Sequence, residues 1–106
     1  LAGNCINISL KGGTIKKYYM DLLSALRKPG DNKGRQLLET LEIFVLDAGM
    51  KTVTTAKIMS LHSNTIQYRL KRIKEILGID ILEATVIPGL IIALALERIE
   101  KIVKSL

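Results

Sequence analysis

The stretch Thr52–Gly78, TVTTAKIMSLHSNTIQYRLKRIKEILG, decides the fold. It divides into a short helix, a tight turn and a longer second helix. Thr52 is a good N-cap for a helix over Val53–Met59. Ala56 is small enough to let the next helix approach closely. Ser60 follows four residues later in the turn, and Leu61 comes next as a buried anchor. Ser63 or Asn64 caps the second helix, whose Ile66 and Leu70 face the core. A small residue, a turn four positions on and an aliphatic residue ten positions on is the helix-turn-helix spacing. The turn of that motif often holds Gly; here it holds Ser60. Gly78 terminates the second helix.

At 100° per residue, Ile66, Leu70, Ile73 and Leu77 form a narrow apolar stripe. The opposite face presents Asn64, Gln67, Tyr68, Lys71, Arg72 and Glu75, with Thr65 at its edge. Between Ala48 and Lys74 there is no acidic residue, whereas Lys51, Lys57, Arg69, Lys71, Arg72 and Lys74 all fall there. A segregated basic block on this pattern points to a nucleic-acid phosphate backbone. Asn, Gln and Arg on one face can make paired hydrogen bonds to base edges in a major groove. Asn64 and Thr65 sit at the helix's amino end, where unpaired N–H groups also favour a phosphate. Arg69 lies between stripe and outer face, suited either to DNA or to bridging helices. Tyr68 suits a phosphate contact or packing.

Working towards the N-terminus, a helix is expected from about Gly34 to Ala48. Leu37, Leu38, Leu41, Phe44 and Val45 make its core stripe, while Ile43 and Leu46 point elsewhere. A helix apolar on two sides needs two partners. Gly49 suits its C-terminal cap, where the left-handed conformation costs glycine little. Before it, a helix over about Thr14–Lys28 places Ile15, Tyr19, Leu22, Leu23 and Leu26 on one face. Lys16, Lys17, Asp21, Ser24 and Lys28 lie opposite. Pro29-Gly30-Asp31-Asn32 ends it. Residues Leu1–Gly13 are punctuated by Asn and Gly, with a strand expected at Ile6–Leu10.

Towards the C-terminus, a connector over Ile79–Ile87 leads to a last helix from about Pro88 to Ser105. Pro88 suits the first helical position. Its expected inward face is Ile91, Ile92, Ala95, Leu96, Ile99, Ile102, Val103 and Leu106. Glu97, Arg98, Lys101 and Lys104 lie on the other side. There Leu90, Ala93 and Leu94 make the first half apolar all round, an expected subunit or domain contact.

The 106 residues carry a net charge of +6 and are 48% hydrophobic. That supports one domain with a modest core and an anionic partner. The division expected is an N-terminal segment and helix over 1–34, a remnant of an upstream domain, and a helix-turn-helix domain over 35–106. The chain starts with Leu1, which fits a fragment of a longer protein. A single Cys5 forms no internal disulfide, in keeping with a cytoplasmic location. The apolar run Val86–Leu96 is broken by Pro88 and Gly89, so no membrane span is expected. His62 is the sole histidine and no Cys/His/carboxylate cluster exists, so neither metal nor other cofactor is expected. Nothing resembles a nucleophile–base pair, a carboxylate pair or a phosphate-binding glycine loop, so no enzyme is expected.

The run LHSNTIQYRLKRIKEILG, preceded by LLETLEIFVLDAG and followed by ALAL, resembles the C-terminal DNA-binding domain of PucR/CdaR-type bacterial regulators. The likeness spans roughly Leu22–Leu96. It is sharpest at His62, Asn64, Thr65, Ile66, Tyr68, Arg69, Leu70, Lys71, Arg72 and Ile73. The family commonly has Arg where this chain has Ser63, and often where it has Gln67. Leu82, Val86 and Ile87 stand where acidic residues are common. The resemblance implies DNA contacts at Asn64, Thr65, Tyr68, Arg69 and Arg72. It also implies an effector, if any, bound outside this fragment.

The expectation is therefore an all-α, helix-turn-helix domain of about five helices that binds double-stranded DNA sequence-specifically for a transcriptional regulator. Helix 63–77 would read the major groove. Lys57, Arg69, Lys71 and Arg72 would position phosphates, and Asn64, Gln67 and Arg72 would read bases, with Ser63, Thr65 and Tyr68 beside them. A homodimer is expected from the surplus apolar surface. The alternative is a helical dimerisation or protein-interaction module whose basic face is incidental. A membrane-surface role for the last helix is opposed by Glu97 and Glu100.

Overall fold

The computed structural model describes residues 17–28 and 30–106. The described residues form five α-helices: α1 over 17–23, α2 Asn32–Glu42, α3 Thr52–Met59, α4 Ser63–Leu77 and α5 Ile87–Lys104. Among the described residues there is no strand. The strand expected at Ile6–Leu10, and the first turn of the first expected helix, lie outside the described residues.

Helix α1 runs into a 3-10 turn at Ser24–Leu26. Tyr19, Leu23 and Leu26 are buried, while Lys17, Asp21, Ser24 and Lys28 are exposed, as the periodicity requires. Helix α2 begins two residues before the expected start. Asp31 caps it, with Oδ1 accepting from Gly34 N at 3.0 Å. Its stripe Leu37, Leu38 and Leu41 continues through Phe44 and Val45, all buried.

The end of α2 differs from a simple helix. Ile43–Asp47 is a π-helical segment, in which Ile43 O accepts from Ala48 N at 2.9 Å. A π-helix turns less per residue, so position i+5 lies only about 50° from position i, whereas an α-helix separates the two by about 140°. Glu42 and Asp47 are thereby brought to one side. Gly49 then turns left-handed at φ +60°, as expected, and so does Met50.

One cluster joins Tyr19, Leu23 and Leu26 with the α2 stripe, Ile73 and Leu77 of α4, Ile81, and Leu90, Ala93 and Leu94 of α5. Ile81 is an anchor in the connector. Gly89 lets α5 lie close against α1: a Cβ there would run into the ring of Tyr19.

Helix α5 reverses the expectation. Leu90, Ala93, Leu94 and Glu97 are buried. Ile91, Ile92, Ile99, Ile102 and Val103 are exposed. Leu90, Ala93 and Leu94 join the core, and ion pairs fix the same side further along the helix. Arg98 Nε donates to Glu42 Oε1 at 2.6 Å, and its two Nη atoms donate to Asp47 Oδ1 and Oδ2 at 3.0 and 2.6 Å. Lys101 Nζ donates to Glu42 Oε2 at 3.1 Å. These partners, aligned by the π segment, tie Arg98 and Lys101 of α5 to the end of α2. Leu90, Ala93 and Leu94 accordingly fill this chain's own core and are not a subunit contact.

Candidate nucleic-acid interface

Helix α3 ends at Ser60, whose φ of +55° and ψ of +43° are left-handed. This is where the motif often holds Gly. A side chain here costs on the order of 1 kcal/mol of backbone strain. The conformation turns the chain sharply, and Leu61 N donates back to Ala56 O at 2.9 Å. Ala56 is buried, as its role in close packing requires, but Leu61 is only half-buried. Thr52 is the first helical residue and not the cap; the cap position falls on Lys51 and makes no side-chain capping bond. Thr55, further along, is fully buried and its hydroxyl donates to Lys51 O at 2.8 Å.

Helix α4 is capped neither by Ser63 nor by Asn64. His62 takes the cap, its Nδ1 accepting from Asn64 N at 3.1 Å. The imidazole thus satisfies one otherwise unpaired donor at the helix start, and accepting requires Nδ1 to be deprotonated. Gly78 closes the helix in the left-handed region at φ +69°.

The inward stripe holds. Ile66 and Ile73 are fully buried, Leu77 nearly so, and Leu70 packs against the core. Asn64, Gln67, Tyr68, Lys71, Arg72 and Glu75 are all exposed, Tyr68 at 68%. Ser63 and Thr65 are half-buried at the amino end, and Lys57 is exposed in the last turn of α3. Arg72 Nη1 lies 3.2 Å from Glu75 Oε2, an exposed pair three residues apart. Such a pair is weak and readily exchanged for a stronger anion. Lys74 is turned towards Asp80 at 3.7 Å.

Arg69 is the expected site residue that leaves this face. Its Nη1 donates to Thr40 Oγ1 at 3.1 Å, tying α4 to α2. Thr40 is fully buried, and its own hydroxyl donates to Gln36 O at 2.7 Å. Of the two roles open to Arg69, bridging is therefore the one present. An open cleft of about 760 Å³ lies beside it, lined among others by Lys33, Gln36, Thr65, Tyr68 and Arg72. Lys33 was not among the expected site residues. It belongs to the first turn of α2, remote in sequence, and only the α2–α4 packing brings it near.

Among the described residues, no group of His, Cys, Asp and Glu is placed to hold a metal ion. No described helix is long and apolar enough to cross a membrane. What the surface offers is a row of amide and cationic donors on an exposed helix, held out from the core by a second helix and a tight turn.

Residues 37–96, more than half of the chain, match the PucR C-terminal helix-turn-helix domain family. Three curated relatives come from Bacillus subtilis (strain 168). The proline-responsive transcriptional activator PutR is 37% identical over 59 residues, which is 56% of this chain and 14% of that protein. The DNA-binding transcriptional activator AdeR is 38% identical over 64 residues, 60% of this chain and 15% of that protein. The purine catabolism regulatory protein is 31% identical over 85 residues, 80% of this chain and 16% of that protein. The matched region is thus about one-seventh of the length of these relatives. No solved structure matches the chain. On the family match, the chain belongs to the PucR C-terminal helix-turn-helix domain family.

Proposed function

We propose that this domain binds double-stranded DNA sequence-specifically as part of a cytoplasmic transcriptional regulator, with α4 lying in the major groove. The observation that carries this reading is the exposed row Asn64, Gln67, Lys71 and Arg72 on the second helix of a helix-turn-helix unit. Asn64 and Gln67 carry amides suited to adenine edges, and Arg72 a fork suited to guanine. Lys57 and Lys71 neutralise phosphates, Tyr68 donates its hydroxyl to one, and Ser63 and Thr65 offer hydroxyls and backbone N–H groups at the helix start. Arg69 holds α4 at its angle to α2 through Thr40. A residue whose donor is already engaged with buried Thr40 contributes mainly by positioning its neighbours.

Residues 35–106 form the DNA-binding unit in this reading, with α1 and the first turn of α2 completing its core. A small-molecule effector acts through a region outside this chain. Two copies, as a homodimer, address two half-sites about one helical turn apart.

The test is fluorescence anisotropy of the chain against a random-sequence duplex at several salt concentrations, beside a Lys71→Ala/Arg72→Ala double variant. Binding is expected to weaken steeply with salt, with a slope about one unit shallower in the variant, because Lys71 is the phosphate contact of the pair. At an operator, Arg72→Ala is expected to weaken binding by about 1–3 kcal/mol. A folded chain that binds no duplex at low salt would overturn the reading.

A further inference from the structure

The open cleft of about 760 Å³ between α2 and α4 joins two walls of hydrogen-bond donors. The α4 wall carries Thr65, Tyr68 and Arg72, and the α2 wall carries Lys33 and Gln36, both exposed. The carboxylates that line it are already engaged. Asp31 accepts from Gly34 N at 3.0 Å, and Glu75 lies 3.2 Å from Arg72 Nη1. Lys33 makes no ion pair among the described residues. Arg69, which also lines the cleft, is held by the neutral hydroxyl of Thr40, so its charge is not compensated there.

We propose that this cleft seats the phosphates of one DNA strand, with Lys33 as the contact that α2 supplies. The inference rests on the DNA-binding reading and deepens it. A helix lying in the major groove has one phosphate backbone on each flank. Helix α4 packs against both α2 and α3, so each flank has its own element. On the α3 side the cation is Lys57, exposed in the last turn of that helix. On the α2 side it is Lys33, in the first turn of α2. A strand that takes the Tyr68 hydroxyl passes this cleft, because Tyr68 lines it. Lys33 then neutralises a neighbouring phosphate, and Gln36 offers an amide donor beside it. The charge of Arg69 adds to the attraction while its guanidinium stays on Thr40. A small molecule is a poorer occupant, since such ligands bind where most of their surface is buried. A backbone strand needs only an open trough.

Fluorescence anisotropy of the 106-residue chain against a random-sequence duplex, from about 50 to 200 mM salt, tests the cleft. Lys33→Ala is measured beside Lys33→Arg, Lys71→Ala and Lys104→Ala. Lys104 is exposed as the last residue of α5 and controls for loss of charge alone. Helical circular dichroism is expected to be unchanged in all four. Lys33→Ala is expected to bind more weakly, with a salt slope about one unit shallower. Its deficit against the wild type is therefore expected to shrink about three- to fourfold across that salt range. Lys33→Arg, which keeps the charge, and Lys104→Ala are expected to keep the wild-type slope. A wild-type slope in Lys33→Ala, with Lys71→Ala shallower, overturns the cleft and leaves DNA binding standing. An equal flattening by Lys104→Ala overturns it too, since any lost charge would then act alike. Calorimetry with inorganic phosphate supplies the last arm. Phosphate binding that Lys33→Ala abolishes, with an unchanged duplex slope, assigns the cleft to a free anion and overturns the proposal. A folded wild type that binds no duplex removes the DNA-binding reading and this inference together.

Discussion

Helices α4 and α5 carry similar apolar stripes in sequence and put them to opposite uses. In α4, Ile66, Ile73 and Leu77 go inward and the amides and cations stay in water. In α5, only the first half sends aliphatics inward, at Leu90, Ala93 and Leu94; Glu97 follows them, and Ile92, Ile99 and Ile102 stay in water. The difference lies in what each helix packs against. Around α4 the neighbouring surface is the aliphatic side of α2, which rewards burying aliphatics. Around α5 the neighbouring surface includes Glu42 and Asp47, and a buried carboxylate is costly unless a cation reaches it. Periodicity therefore identifies the stripe, and the partner surface decides which side of the helix is buried within the chain.

The sharpest way to break this comparison is to truncate one isoleucine in each stripe. Ile73→Ala in α4 is expected to cost about 2–5 kcal/mol of unfolding free energy, through lost transfer energy and the cavity left behind. Ile99→Ala in α5 is expected to change the monomer's stability by less than about 0.5 kcal/mol, as an exposed substitution does. Urea titrations at concentrations dilute enough to suppress association make the measurement. Equal losses at the two positions would mean that α5 buries its isoleucines in the monomer.

Next in size is the set of ion pairs that ties α5 to the end of α2. Arg98 is partly exposed while Glu42 is nearly buried. Arg98→Ala is expected to cost about 2 kcal/mol, between the values for exposed and buried pairs. Glu42 keeps Lys101, which limits the loss. Denaturation midpoints of Arg98→Ala and Glu42→Gln would decide the matter, and a neutral Arg98→Ala would mean that burial of Leu90, Ala93 and Leu94 alone sets the orientation of α5.

These pairs also mark where the sequence stopped being legible. Helices α1, α3 and α4, their inward residues, the turn at Ser60 and the exposed row of α4 all follow from local periodicity and turn chemistry. The π segment does not, because its wider turn uses the same aliphatic residues as an α-helix. Without it Glu42 and Asp47 appear on different sides, so nothing in the sequence pairs either with Arg98, more than 50 positions away. The cap at His62 was hidden for a simpler reason: Ser63 and Asn64 are better N-caps by type, and the chain places them one step too late.

Within the site itself, Arg69 and Arg72 give a smaller contrast. Arg69→Met removes a donor to buried Thr40 and is expected to lower stability by about 1 kcal/mol. Arg72→Met, exposed and paired only with Glu75, is expected to leave stability within about 0.5 kcal/mol. Thermal unfolding and duplex anisotropy on both variants separate the roles. A stable Arg69→Met that has lost DNA affinity would return Arg69 to the reading face.

The smallest expected effect lies between two carboxylates in the surroundings of α5. Glu97 is almost fully buried. Arg27 Nε lies 3.0 Å from its Oε1, yet neither oxygen of Glu97 accepts a hydrogen bond. Burial raises its carboxyl above the ordinary 4.5, and Arg27, then Lys101, offset this only in part. The folded chain thus holds that proton more tightly than the unfolded chain. Its contribution to stability is largest below pH 4.5 and is lost as pH rises through the raised value. Asp47 behaves oppositely. Hydrogen bonds from Arg98 hold it below the ordinary 3.8, so its contribution is present above that pH and lost as pH falls through the lowered value. Glu97→Gln is expected to flatten the decline on the higher-pH side, and Asp47→Asn the decline on the acid side. Urea midpoints followed from pH 3 to 7 would show this. A steeper decline above pH 4.5 in Glu97→Gln would mean that Arg27 outweighs burial, and that the charged side of α5 is held in by attraction alone.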